Sequence, residues 1–234
     1  AVLGDLSAKK GQDFSKIQGR FNTRLSLSSA NADEVIKKRL LEKNDTGKDA
    51  VQLLYTSEVK ASLRNKINFS DGTISLKKYD TLKDFSEFYP MIPYQLDLLQ
   101  QVFTKIRENS SAGKHFASGE RNLLGAVQYA ALEYAEKDLG ILIPFQTFYG
   151  HLDQGLDHSV RATIIKAQST PTLQSFDVDV LKVLYLIRYL KSVPSTVENI
   201  TTLMLDELDA DRLKLTENIT AALDRLTKEY LVQR

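Results

Sequence analysis

Residues able to do chemistry are sparse in this 234-residue chain. It has no cysteine, which excludes disulfides, thiolate metal sites and a cysteine nucleophile, and its three histidines, His115, His151 and His158, are scattered. His151 and His158 stand seven apart, a spacing that would align them on one helix face, yet Gly150 and Gly155 interrupt that helix and argue against a shared metal. None of the three lies beside a glycine-flanked serine elbow. The G-x-x-x-x-G-K-[ST] loop that cradles phosphates on bare backbone N–H groups is missing too: Gly47-Lys48 runs into Asp49, and Gly113-Lys114 into His115. Leu203-Met204-Leu205-Asp206-Glu207 looks superficially like an apolar strand ending in a magnesium-holding acid pair. It continues a helical pattern from Thr196 into a turn with Asp209 and Asp211, so a solvated helix end is the better reading. No metal site is expected, and the chain alone is not expected to hydrolyse a nucleotide.

Two arginines are more informative. Arg20 immediately precedes Phe21 at a helix-to-strand junction, and Arg121 begins an amphipathic helix after Ser118-Gly119-Glu120. An arginine held at the end of a rigid element can reach a phosphate in its own or a neighbouring subunit and stabilise charge on the transferring group. Taken alone, each reads more simply as half of a surface ion pair.

The elements that would hold these residues are mostly helical. With 42% apolar residues the chain can bury a core, and 31 basic against 30 acidic side chains leave a net charge of only +1, so any basic surface is local. No apolar run is long enough for a membrane span and no secretory signal opens the chain, so the composition fits a cytoplasmic protein. Phe14, Ile17 and Phe21 form a short helical stripe, and Arg24–Leu27 alternates like a strand. Asn31 with Glu34 reads as a capping box for a helix over Ala32–Lys43, whose Lys37, Lys38, Arg39 and Lys43 face mostly outward. A second helix is predicted from Asp49 to about Asn65. Residues 73–93 look irregular, with Tyr89–Tyr94 extended around its two prolines. Leu96, Leu99, Val102, Phe103 and Ile106 set out a clear helix, and Ser118 opens another through Tyr134. Residues 159–168 form a short helix, and Ser169-Thr170-Pro171-Thr172 reads as a linker. Beyond it, helices over Asp177–Lys191, Thr196–Leu205 and Thr216–Tyr230 lead into Leu231-Val232, which reads as a strand just begun. That order matches a winged helix without its wing hairpin, or a plain three-helix bundle.

Three stretches, Asp13–Lys43, Phe88–Arg121 and Phe176–Asp211, resemble the P-loop ATPase of the bacterial BREX phage-exclusion system, the BrxC/PglY family, and the likeness spans nearly the whole chain. The resemblance implies an internal fragment that follows the nucleotide-binding core. It would be mainly α, with a strand remnant of the ATPase core at 1–30, an AAA+-like helical lid over 31–171 and a winged-helix-like domain with a truncated wing over 172–234. It also implies that the parent is an antiviral-defence ATPase using ATP and Mg²⁺. Arg20 then matches an arginine finger acting in trans, with Arg24 the alternative, and Arg121 resembles a nucleotide-sensing arginine at the start of a lid helix. The partners implied are other subunits of the same ATPase and other defence-system proteins, with no membrane. A nucleotide-independent scaffold module and a DNA-binding adaptor remain as alternatives.

DNA is the weaker partner on charge. Phe176–Arg234 holds eight Lys/Arg against ten Asp/Glu, too few cations to neutralise several phosphates. Residues 1–48 are locally basic, with ten against six.

Overall fold

The computed structural model describes residues 29–70, 77–109 and 119–233, and it is mainly helical, with no strand among them. Helix α1 (Ser29–Val35) runs on into a π-helical turn at Ile36–Leu40. Then come α2 (Asp45–Leu54), α3 (Ser57–Lys66), α4 (Leu82–Phe88), α5 (Tyr94–Asn109) and α6 (Gly119–Glu133). A 3₁₀ turn at Phe145–Phe148 leads into the single-turn α7 (Tyr149–Leu152), followed by α8 (His158–Ser169), α9 (Ser175–Ile187), α10 (Val197–Leu203) and α11 (Arg212–Lys228). The helical stripe at 14–21 and the strand at Arg24–Leu27 lie outside the described residues.

Local capping explains where the observed helices depart from periodicity. Helix α1 is already running at Ser29, so Asn31 and Glu34 are interior rather than a capping box. Its ladder then slips, the Leu41 N–H donating to the Ile36 carbonyl at 2.9 Å, and the helix ends short of Lys43. Asn44 starts α2 instead of merely stopping α1, its Oδ1 accepting from the Gly47 N–H at 2.7 Å. The single helix predicted over Asp49–Asn65 is two helices. Thr56 caps α3 by accepting from the Val59 N–H at 3.2 Å, and Tyr55 turns inward to stack on Phe85 with ring centroids 4.5 Å apart. Within the stretch read as irregular, Thr81 and Asp84 form a reciprocal capping box and set up α4.

The Tyr89–Tyr94 stretch is a turn rather than extended chain. The Tyr89-Pro90 peptide is cis and the Met91 N–H returns to the Phe88 carbonyl at 2.8 Å. Asp211 starts α11 earlier than predicted, accepting from the N–H groups of Leu213 and Lys214 at 3.0 and 3.1 Å. Leu231-Val232 begins no strand: the Leu231 N–H donates to the Leu226 carbonyl at 3.0 Å and closes the helix end.

The linker predicted at Ser169–Thr172 separates α8 from α9, yet one hydrophobic cluster runs across it from Ala32 to Leu226. Polar ties cross it as well. The Leu142 N–H donates to the Asp206 carbonyl at 2.6 Å and the Leu208 N–H to the Gly140 carbonyl at 2.8 Å, an isolated antiparallel bridge centred on Ile141 and Glu207. The Leu203–Glu207 run thus ends α10 and turns into this bridge. Buried Asn199 accepts from the Ser70 N–H at 2.8 Å and donates to its carbonyl at 3.0 Å, as a neighbouring strand would. Buried Gln95 accepts from the Ile92 N–H and donates to the Ile143 carbonyl at 2.6 Å. Each of these bonds satisfies a backbone group that burial would otherwise leave unpaired.

Candidate functional site

Arg121 sits in the first turn of α6, where Leu123, Ala126, Val127 and Ala130 bury the opposite face. Its side chain is exposed, as a residue reaching outward must be. Arg20 and Arg24 lie outside the described residues, so of the three candidate arginines only Arg121 is placed. The turn behind it is braced by a close approach. His151 of α7 hydrogen-bonds to the Asn122 backbone, and a Cβ added at Gly125 would come within 2.6 Å of the His151 ring. A Cβ at Gly150 would likewise collide with the Tyr129 hydroxyl. Two glycines therefore let α6 and α7 touch. Burial pushes the His151 imidazole below its ordinary pKa, which favours its neutral form in this packing role. His158 begins the next helix, so the two histidines do not share one.

Next to this corner lies a polar cavity of about 410 Å³ lined by α6, α7, α8 and α9. Its cations are already matched. Arg161 pairs with Asp153 at 3.2 Å and Lys182 with Asp179 at 2.8 Å, while the Tyr149 hydroxyl donates to Asp153 at 3.1 Å. Burial and the Asp153 charge push the Tyr149 hydroxyl well above the usual tyrosine range, so it stays protonated. Of the acids around Asp206, Asp211 caps α11 with its carboxylate, while Asp206 and Glu207 contribute their backbone to the bridge. No group of three or more His, Asp or Glu side chains among the described residues is placed to hold a metal.

The C-terminal helices offer a different surface. Leu181, Leu184 and Tyr185 of α9 face Val197, Leu223 and Leu231 across an open groove of about 610 Å³. Among the described residues its single charged lining residue is Arg188, whose guanidinium lies 4.3 Å from the centroid of Tyr189 and 5.9 Å from that of Tyr185. Between α9 and α11, fully buried Asp177 takes a two-pronged bond from Arg225, with Nε and one terminal nitrogen at 2.8 and 2.7 Å. Sequence reasoning missed this pair, because 48 residues separate its members and Arg225 reads as a surface charge of α11.

The pair also bears on nucleic acid. Arg225 is committed to Asp177, and Arg212 is committed to the Lys66 and Glu198 carbonyls and the Thr202 hydroxyl. Both arginines of α11 therefore serve packing. No protein-family model matches the chain, and no solved structure matches it. No helix among the described residues is long and apolar enough to cross a membrane.

Proposed function

We propose that this chain is a non-catalytic coupling module of a multisubunit P-loop ATPase of the BREX type, an AAA+-like lid followed by a winged-helix-like unit. ATP and Mg²⁺ would be held by the core of the parent. In that setting Arg121, and Arg20 or Arg24, would report the state of the nucleotide.

One observation carries the coupling role. The C-terminal helices are stapled internally by Asp177 and Arg225, yet they leave open an apolar groove whose only charge among the described residues is a cation. An apolar segment of another subunit, carrying a carboxylate for Arg188, fits that chemistry. Duplex DNA fits it poorly, since the α11 arginines are spent on packing.

In the parent ATPase, Arg121→Ala is expected to lower turnover with folding intact. Leu184→Glu, in the groove wall, is expected to weaken subunit assembly while single-subunit folding persists. Unchanged turnover in the first would remove the nucleotide-sensing assignment, and unchanged assembly in the second would remove the docking role.

A further inference from the structure

Two surfaces of the chain are left open, and their chemistry is complementary. The first is the apolar groove of α9–α11. Leu181, Leu184, Tyr185 and Arg188 line it at i, i+3, i+4 and i+7, one continuous face of α9 and its C-cap over about two turns. The end of α11 adds a second mark. The position one past a helix C-cap that turns left-handed is ordinarily glycine. Here it is Tyr230 at φ 57°, 94% exposed and next in the chain to the groove-lining Leu231. A bulky residue in this region of φ is strained, and the strain sets an aromatic side chain out into the open at the edge of the groove.

The second surface belongs to α6 and α8. Away from the buried stripe of α6, Tyr129, Leu132 and Glu133 stand at i, i+3 and i+4, and all three are exposed, Leu132 to 69%. Ile165 of α8, 64% exposed, lines the polar cavity together with Tyr129 and Glu133. A single exposed leucine needs no explanation, whereas three apolar side chains gathered around a carboxylate call for one. The cations of the cavity are matched elsewhere, Arg161 to Asp153 and Lys182 to Asp179. Glu133 accepts from the Tyr129 hydroxyl, and an exposed carboxylate has further acceptor positions for a cation.

The two surfaces do not face each other within one molecule. Helix α9 borders both, the polar cavity through Asp179 and Lys182 and the groove through Leu181, Leu184, Tyr185 and Arg188, and on a 3.6-residue repeat these two faces diverge by about a third of a turn. A contact between them requires a second copy.

We propose that the chain associates with itself head to tail, the α6 face of one copy seated in the α9–α11 groove of the next, with Leu132 entering the apolar cleft, Tyr230 packing over it and Glu133 pairing with Arg188. The groove supplies apolar walls and a cation, and the face supplies apolar side chains and a carboxylate, so one copy is the electrostatic complement of another. Because two different patches meet, the contact is heterologous. This inference rests on the docking role of the groove and names the segment that fills it.

The test is sedimentation velocity of the intact chain from about 10 μM to about 500 μM. The expected result is a sedimentation coefficient that climbs with concentration, for a Kd of about 100 μM, and a loss of about tenfold or more in affinity in both Leu132→Glu and Leu184→Glu. Mixed in equal amounts, these two variants are expected to form a complex of two copies and nothing larger, since one intact face and one intact groove remain between them. Glu133→Arg and Arg188→Glu, both at exposed positions where folding is not at stake, are each expected to weaken association about fivefold, and the double variant to recover it. Tyr230→Gly removes the strained side chain, so it is expected to weaken association without lowering the urea midpoint. A parent that stays monomeric at the highest concentration overturns the proposal, as does failure of the two leucine variants to pair with each other or of the double charge variant to recover. Association lost in Leu184→Glu and kept in Leu132→Glu would overturn α6 as the occupant while leaving the groove a docking surface. Association kept in both would remove the docking role of the groove as well.

Discussion

The helices α9–α11 and the helices α1–α4 handle their polar groups in opposite ways. In the C-terminal unit the buried polar side chains are matched inside the protein: Asp177 by Arg225, Asn199 by the Ser70 and Pro194 backbones, Thr202 by Arg212 and the Asn68 carbonyl. What it leaves open is apolar. In the N-terminal region the core is sound, with Ile36, Val51, Leu63 and Phe85 buried, but Lys43 and two buried oxygens, Asp33 Oδ1 and Ser86 Oγ, are left short of partners around an open cavity walled by α1, α2 and α4. A region whose polar groups are satisfied internally can recognise another protein by apolar shape. A region with buried polar groups left unsatisfied carries a stability cost instead.

The sharpest way to break this contrast is at Asp177. Removing Arg225 leaves a fully buried carboxylate without its cation, so Arg225→Ala is expected to destabilise the chain by about 3–5 kcal/mol. The matched experiment is Lys83→Ala, whose exposed pair with Glu87 is expected to contribute at most about 1 kcal/mol. Urea unfolding of both variants checks the ranking, and equal effects would erase the distinction between the two regions.

The seam between the regions comes next. Asn199→Ala strips the Ser70 N–H and carbonyl of their partner, and loss of buried hydrogen bonds of this kind is expected to cost about 1–3 kcal/mol. Because Ser70 follows α3 and Asn199 belongs to α10, the loss is also expected to raise amide exchange around Ser70 before the rest of the chain. Exchange that rises only in step with global unfolding would mean the two regions melt as one.

How much of this was legible in the sequence follows from the range of the interactions. Helices whose apolar residues recur every three or four positions, such as α5 with Leu96, Leu99, Val102, Phe103 and Ile106, were readable because the pattern is local. Helix edges were not, where a side chain chose between two backbones: Thr56 splits a predicted helix only because Tyr55 finds Phe85 across the core. Of the candidate site residues, Arg121 was placed at a helix start by its sequence context, and it is found there. The Asp177–Arg225 staple, the Asn199–Ser70 pairing and the cavity beneath Lys43 all join residues dozens of positions apart. Lys37 and Lys43 read as surface charges for the same reason, since Glu87 and Phe88 reach them from α4.

The smallest expected effect separates the regions by pH. The Lys43 amine has its pKa lowered to about 8 in the folded chain, against 10.5 ordinarily, so between these values the unfolded chain holds a proton that the folded chain has released. Stability contributed by this residue therefore rises with pH across that window and is absent below it. Tyr79 and Tyr94 work in the opposite sense above about pH 10, because burial keeps their hydroxyls protonated after those of an unfolded chain ionise. The clean interval is thus about pH 8 to 10. Over it, the stability of the parent is expected to climb relative to Lys43→Gln, while the difference between the parent and Arg225→Ala stays level, since hydrogen bonding to Asp177 holds the Arg225 pKa above its already high ordinary value. Urea midpoints for all three proteins across this interval test the point. A parallel course for parent and Lys43→Gln would mean that Lys43 is as well solvated as any surface lysine, and the N-terminal region would lose its claim to an unmatched charge.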